Sequence, residues 1–182
     1  MSPSTRTGGG RSDRRAADRP RPVDTDPEGV ARQTLLDQLA VRARSRHELA
    51  EKLRSKDVPE EVARPLLDRF TEVGLIDDAA FAQAWVEQRS RTKGLGRRML
   101  SQELRHKGVD QVHIEAALEE IGRDEERDAA RALAVKRLRT LSRLDPAVKR
   151  RRLEGFLARK GYPGGLVADV VREVLAEEVT DE

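Results

Sequence analysis

Apolar residues along this chain recur at three- and four-residue steps, and nowhere do they alternate with polar ones as a strand would. Leu35, Leu36 and Leu39 give one stripe, Leu49 and Leu53 the next, and Ala63, Leu66, Leu67 and Phe70 a third. The pattern predicts helices throughout from Glu28 on. Pro59 suits a first helical turn and Gly74 a helix stop. Asp77 or Asp78 can cap the next helix, which carries Phe81 and Trp85 on one face. Pro65, about one turn into its helix, reads as a tolerated early proline with room for a kink.

The pattern repeats. "SRHELAEKLRSKDV" returns as "GRRMLSQELRHKGV" and again as "KRRRLEGFLARKGY". Leu49, Leu100 and Leu153 align at spacings of 51 and 53 residues, as do Leu53, Leu104 and Leu157, and Lys56, Lys107 and Lys160. Downstream, Ile114, Leu118 and Ile121 match Ala63, Leu67 and Phe70, and Val167, Val171 and Val174 follow in the third cycle. Between these cycles a long helix carries Ala130, Leu133 and Leu138 as core positions. The unit is therefore about fifty residues and three helices, and three units predict an all-α fold of about nine helices. The expected divisions are 28–74, 75–122 and 123–178, with a disordered tail at 1–27 and an acidic end at 179–182. A unit this small buries little alone, so stacking is expected to build one continuous thin core. Gly108 and Gly161, each between a Lys and a hydrophobic residue, suit a left-handed helix end with a hydrophobic clasp formed by Val109 or Tyr162. The first unit has Asp57 there, which tolerates that conformation less well.

Composition narrows the shape. Hydrophobic residues make up 37 % of the 182, charged residues 38 % and aromatics 3 %. That suits a thin, extended helical protein better than one large core. The chain has no cysteine, which excludes disulfides and thiolate chemistry. No apolar run approaches a membrane span and the start of the chain is polar, so a cytoplasmic location is expected. Residues 136–160 carry ten Lys and Arg against two acids, and residues 161–182 one Arg against six acids. This reads either as a surface for an acidic partner, or as antiparallel helices of opposite sign that neutralise each other.

Candidate chemistry is sparse. His47, His106 and His113 fall in no ligand spacing and read as surface histidines. Asp77-Asp78 reads as a helix cap before a metal pair. "KGLGRR" (93–98) lacks the lysine placement of a nucleotide loop, and a flexible turn explains its glycines. No catalytic group, metal or cofactor is expected. Cations are the better candidates: Arg42, Arg44 and Arg46 approach the repeated helix in the first unit, Arg97 and Arg98 in the second, and Arg150, Arg151 and Arg152 in the third. Lys107 and Lys160 stand in its closing turn. Cations at helix starts oppose the dipole, which favours a role beyond folding over plain solvation. Arg6, Arg11, Arg14, Arg15, Arg19 and Arg21 of the tail allow weak nucleic-acid contact, or simple solvation.

Ser45, Glu48-Leu49, Lys52-Leu53, the "GLIDD" turn, Phe81-Ala82, Arg89, Gly94, Gly96, Glu103-Leu104 and Lys107-Gly108, in this order and spacing, resemble the RecX family of bacterial recombination regulators. The resemblance spans about Glu28 to Glu178. It departs at "SKDV", where the family more often has a Lys-Gly-aromatic turn, and at Gly164-Gly165. The resemblance implies tandem three-helix units in an elongated, curved array. It implies a non-enzymatic protein that binds the RecA–DNA filament and restrains ATP hydrolysis, strand exchange and co-protease activity. A monomer is expected. The alternatives are a direct DNA-binding regulator and a generic helical adaptor, which the residues alone do not separate from filament binding.

Overall fold

The computed structural model describes residues 26–180, and all regular structure among them is helical. The first unit holds α1 (Pro27–Val41), α2 (Arg46–Arg54) and α3 (Glu60–Glu72). The second holds α4 (Asp78–Lys93), α5 (Arg97–His106) and α6 (Gln111–Glu119). The third holds α7 (Arg123–Leu138), a 3-10 turn (Arg139–Leu141), α8 (Pro146–Lys160) and α9 (Gly164–Thr180). The expected tail lies outside the described residues up to position 25, and helix begins at Pro27 with Asp26 as its cap. At the other end α9 runs through Thr180.

Local chemistry sets these bounds. Ser45 and Glu48 form a reciprocal capping box at α2. Asp77 accepts from the Ala80 N–H at 2.8 Å and starts α4. Asp145 caps α8 just ahead of Pro146. The repeated helix closes the same way three times. The N–H groups of Val58, Val109 and Tyr162 reach back to the carbonyls of Leu53, Leu104 and Leu157 at 3.2, 3.2 and 3.3 Å. The residue before each is left-handed: Asp57 (φ 57°), Gly108 (φ 69°) and Gly161 (φ 92°). Val58, Val109 and Tyr162 are all buried, as a clasp requires.

Two expectations change. Pro65 is the sixth residue of α3, past the first turn, and the helix continues through it. The carbonyl it leaves unpaired belongs to exposed Glu61, where water can serve. Leu36 stands exposed on α1, while Leu35 is fully buried and Leu39 half-buried. The helix presents one stripe inward, and Leu36 falls off it.

The larger correction concerns the core. It is three cores. Leu35, Leu49, Leu53 and Phe70 close the first unit; Phe81, Leu100, Leu104 and Ile114 the second; Leu138, Leu153, Leu157 and Val171 the third. Extensive helix-on-helix packing stays within each unit. Each set of three helices folds its apolar stripes onto one another and leaves mainly helix ends to meet the neighbour, with Leu133 of α7 set against Gly94 as an exception.

Asp57 holds a backbone conformation that disfavours any side chain, and Asp57→Gly is expected to raise stability by about 1 kcal/mol. At Gly161 an added Cβ would lie 2.5 Å from the Met99 backbone nitrogen, and at Gly108 it would lie 2.3 Å from the His47 side chain. Gly161→Ala and Gly108→Ala should therefore both lower stability, because the first His47 atom met is its Cβ, which is fixed to the backbone and cannot turn away. Urea and thermal melts of the three variants check these directions.

Candidate interaction surface and the joints between units

The units join end to end through the repeated helix. The C-terminal end of α5 abuts the N-terminal start of α2, and the C-terminal end of α8 abuts the start of α5. At the first joint, the Ser45 hydroxyl donates to the Lys107 carbonyl at 2.6 Å. Asp78, from the start of α4, accepts the Arg46 N–H at 2.8 Å. Lys107 Nζ reaches Glu48 at 2.6 Å and sits 4.5 Å from the centre of the Trp85 ring.

The second joint repeats the plan with different atoms. The Gly96 N–H donates to the Lys160 carbonyl at 2.9 Å, and the Arg98 N–H to the Gly161 carbonyl at 3.2 Å. Glu126, buried at the start of α7, accepts the Arg97 N–H at 3.2 Å. Lys160 Nζ donates to the Lys93 carbonyl at 2.6 Å. The Tyr162 hydroxyl donates to the Gly94 carbonyl at 3.3 Å. Burial pushes the Tyr162 hydroxyl up to about 12, and Glu126 adds to the rise. "KGLGRR" is thus a tight joint rather than a flexible turn: Gly94 is left-handed, and a Cβ on Gly96 would fall 2.8 Å from the Gly161 backbone. The Asp77-Asp78 pair divides its work, Asp77 capping its own helix and Asp78 the helix of the unit before.

Four of the predicted cations carry these contacts. Arg46 pairs with Asp68 at 2.7 Å and contacts Thr71, fixing α2 to the end of α3. Arg97 donates to the Ile121 carbonyl and pairs with Glu126 at 3.3 Å. Lys107 and Lys160 serve the joints. Opposed to the dipole at helix starts, Arg46 and Arg97 are compensated by these carboxylates and by the carbonyl. Arg44 is half-buried and its Nε has no hydrogen-bond partner.

Arg98, Arg150, Arg151 and Arg152 differ. All four are exposed, and their side chains have no ion-pair partner among the described residues. Arg150 to Arg152 were expected to open their helix. Since α8 starts at Pro146, they lie in its second turn, where the dipole argument does not apply. The acidic face of α9 is already occupied: Glu173 pairs with Arg127 at 2.5 Å, Glu177 with Arg131 at 2.6 Å and Glu178 with Lys149 at 2.8 Å. Neutralisation between helices of opposite sign therefore occurs, but it draws mainly on α7 and leaves most of the basic segment free. Beside that segment, Arg137 and Lys160 each stand 5.8 Å from the half-buried Phe156 ring.

Trp85 packs against Phe81 with ring centres 5.7 Å apart, as core packing predicts. Its indole N–H donates to Glu103 at 2.8 Å, and Arg89 lies 4.3 Å from the ring centre. His47 and His106 are exposed and His113 is half-buried. Among the described residues no three His, Asp or Glu groups converge to hold a metal, and no helix is long and apolar enough to cross a membrane. The sequence reading missed Asp78 and Glu126 as joint caps and Glu48 as the partner of Lys107. The one available signal was an acid in the first turn of each unit's opening helix, a place where acids are common anyway.

Comparison with known proteins gives one answer. Models of the RecX first, second and third three-helix domains match residues 31–70, 77–118 and 124–171. The chain is 46 % identical over 181 residues to regulatory protein RecX of Streptomyces coelicolor, covering 100 % of this chain and 95 % of the relative. A crystal structure of a regulatory protein RecX superposes with a TM-score of 0.75 at 27 % identity, over 81 % of this chain and 72 % of that one. The crystal structure of RecX from Lactobacillus salivarius shares the fold, with a TM-score of 0.77 at 23 % identity over 82 % of this chain and 97 % of its own.

The first joint has a pH signature. Burial pushes Glu48 up, but the bond from Lys107, its charge, the Ser45 N–H and Arg42 together hold the carboxyl below its ordinary value. A carboxyl depressed on folding adds stability above its unfolded pKa, and that stability is lost as pH falls through the folded one. Glu48→Gln should lower stability near neutrality by about 1–2 kcal/mol, the worth of a charge-assisted hydrogen bond. The gap to the parent should close in acid. Melting temperature against pH for both proteins measures it, and a gap independent of pH refutes the assignment.

Proposed function

The chain belongs to the RecX family, and from that premise we propose that it is a negative modulator of the RecA recombinase that works by binding and not by catalysis. It engages the RecA–DNA filament in the cytoplasm and lowers its ATPase, strand-exchange and co-protease activities. The observation that supports this reading is the exposed, internally unpartnered cation group of Arg98, Arg150, Arg151 and Arg152. Folding leaves these charges without ion pairs, while Arg46 and Arg97, which align with Arg150 in the repeat, are taken up by Asp68 and by Glu126. An acidic protein surface or a row of phosphates is the complementary partner. Arg97, Lys107 and Lys160 then act by holding the units in register, Arg46 fixes α2 to α3 within the first unit, and Arg44 keeps an Nε without a partner.

Direct binding to DNA is the second reading. The placement of Phe156 between Arg137 and Lys160 favours it, since an aromatic flanked by cations suits a nucleic-acid strand. Sedimentation with RecA filaments on single-stranded DNA, beside bare DNA and free RecA, separates the two. Filament binding with falling ATP hydrolysis at substoichiometric protein supports the first reading. Equal affinity for bare DNA supports the second. Reversing Arg150, Arg151 and Arg152 to Glu should weaken filament binding on the order of tenfold or more with helicity intact, and raised salt should weaken the parent likewise. Unchanged affinity in the folded variant would remove these residues from the contact.

A further inference from the structure

The two joints share a plan but differ in which atoms meet. At the second joint backbone touches backbone: two main-chain hydrogen bonds cross it, Gly96 to Lys160 and Arg98 to Gly161. The glycines on both sides make that approach possible, since a Cβ on either would lie within 2.8 Å of the opposite backbone. The buried Tyr162 adds a bond from the far side. At the first joint no main-chain hydrogen bond crosses among the described residues. Ser45 stands where the second unit has Gly96, and its hydroxyl spans the gap to the Lys107 carbonyl. Gly108 packs on the His47 Cβ and imidazole ring. The other crossing contacts, Lys107–Glu48 and Asp78 to the Arg46 N–H, also end on rotatable side chains. The covalent link at this joint is the short step from Ile76, buried in the first unit's core, to Asp77, the cap of α4.

We propose that the first joint is a hinge and the second a lock: units two and three move as one body, and unit one changes its angle against them. A joint made of side chains can re-form its bonds over a range of angles, because each rotamer moves its donor or acceptor by ångströms. A joint made of two main-chain bonds between glycines in contact has no such range, and must break to bend. Few main-chain bonds and exposed connections mark the segments of low local stability along a chain, and hinges fall in such segments. Ile76, two residues past Gly74, is buried in the first unit's core and its N–H bonds back to the Phe70 carbonyl, so the bend falls between Ile76 and the start of α4 and leaves each unit's core closed. Such a hinge makes the array adjustable at one place only.

The absence of cysteine makes the test direct. Exposed Lys56, Gln102 and Ala158 lie on α2, or the turn that closes it, α5 and α8. The pairs Lys56→Cys with Gln102→Cys, and Gln102→Cys with Ala158→Cys, carry spin labels across the first and second joints of the full chain. Pulsed dipolar distances are expected to be roughly twofold broader across the first joint, as a hinge beside a rigid body requires. Equal widths, or a broader second joint, overturn the proposal. Gly96→Ser, which inserts a side chain into the lock, should broaden the second pair in a chain whose circular dichroism is unchanged. A folded Gly96→Ser chain with an unbroadened second joint would show that the glycine contact is not what stiffens it.

Discussion

The rest of the structure depends on a helix end that meets another helix start. A helix leaves its last carbonyls and its first N–H groups without partners. Here the two deficits face each other: the Lys107 and Lys160 carbonyls accept from Ser45 and Gly96, and the Gly161 carbonyl from Arg98. The dipoles of α2, α5 and α8 run head to tail, so opposite partial charges meet at each joint. The close approach dictates the residue. A left-handed turn with a backbone or side chain pressed against it admits glycine at 108 and 161. Residue 57 ends a helix that abuts no neighbour among the described residues, and there aspartate survives. The acids that complete each joint, Asp78 and Glu126, come from the next unit's first helix, so every joint needs three elements at once.

Such a joint changes what a repeat must do. Units that share a core are stable only together, but these units close their own cores and share polar ends. The charged residues that replace apolar area are consequently not surface in the ordinary sense. Lys107 and Glu48 are mostly enclosed, and Asp78 is held half-buried, where burial raises its carboxyl against the Arg46 N–H bond and nearby His113 that lower it. Breaking one member of such a set leaves the other buried without its partner, which costs more than the pair contributes.

The sequence made legible whatever depends on neighbours along the chain. The helix stops at Gly74, Gly108 and Gly161, the Val58, Val109 and Tyr162 clasps and the Asp77 cap are each settled within six residues, and the repeat shows as their recurrence along the chain. The three separate cores were not legible, because an apolar stripe states that a face is buried without stating against what. The joint partners were not legible either. Ser45 and Lys107 lie 62 residues apart, Arg46 and Asp78 32 apart, and nothing local pairs them. Arg46, Arg97 and Arg150 align in the repeat and looked like one periodic surface. The first two turn inward to the end of the unit's third helix. Arg150 has no such place, since the position matching Ile121 is Val174, inside the long α9 with its carbonyl facing the helix.

The ends of the array follow from the same geometry. Arg46 and Arg97 are the first residues of their helices, so their N–H groups are free to take an acid from the next unit. Arg150 is the fifth residue of α8, and its N–H is used within the helix. The four residues ahead of it, opened by Asp145 and Pro146, stand where a docking helix end would sit. At the opposite end, Asp57 holds the position of Gly108 and Gly161, where a Cβ would collide with an abutting helix start. Neither outer end presents what the inner joints use. One helix motif written three times therefore has three physical settings: free at its C-terminal end in the first unit, joined at both ends in the second, and self-capped at its start in the third. In the third setting the first turn of α8 takes the place of a joint, so Arg150, Arg151 and Arg152 stay exposed on the helix surface, as Arg98 does in the second unit.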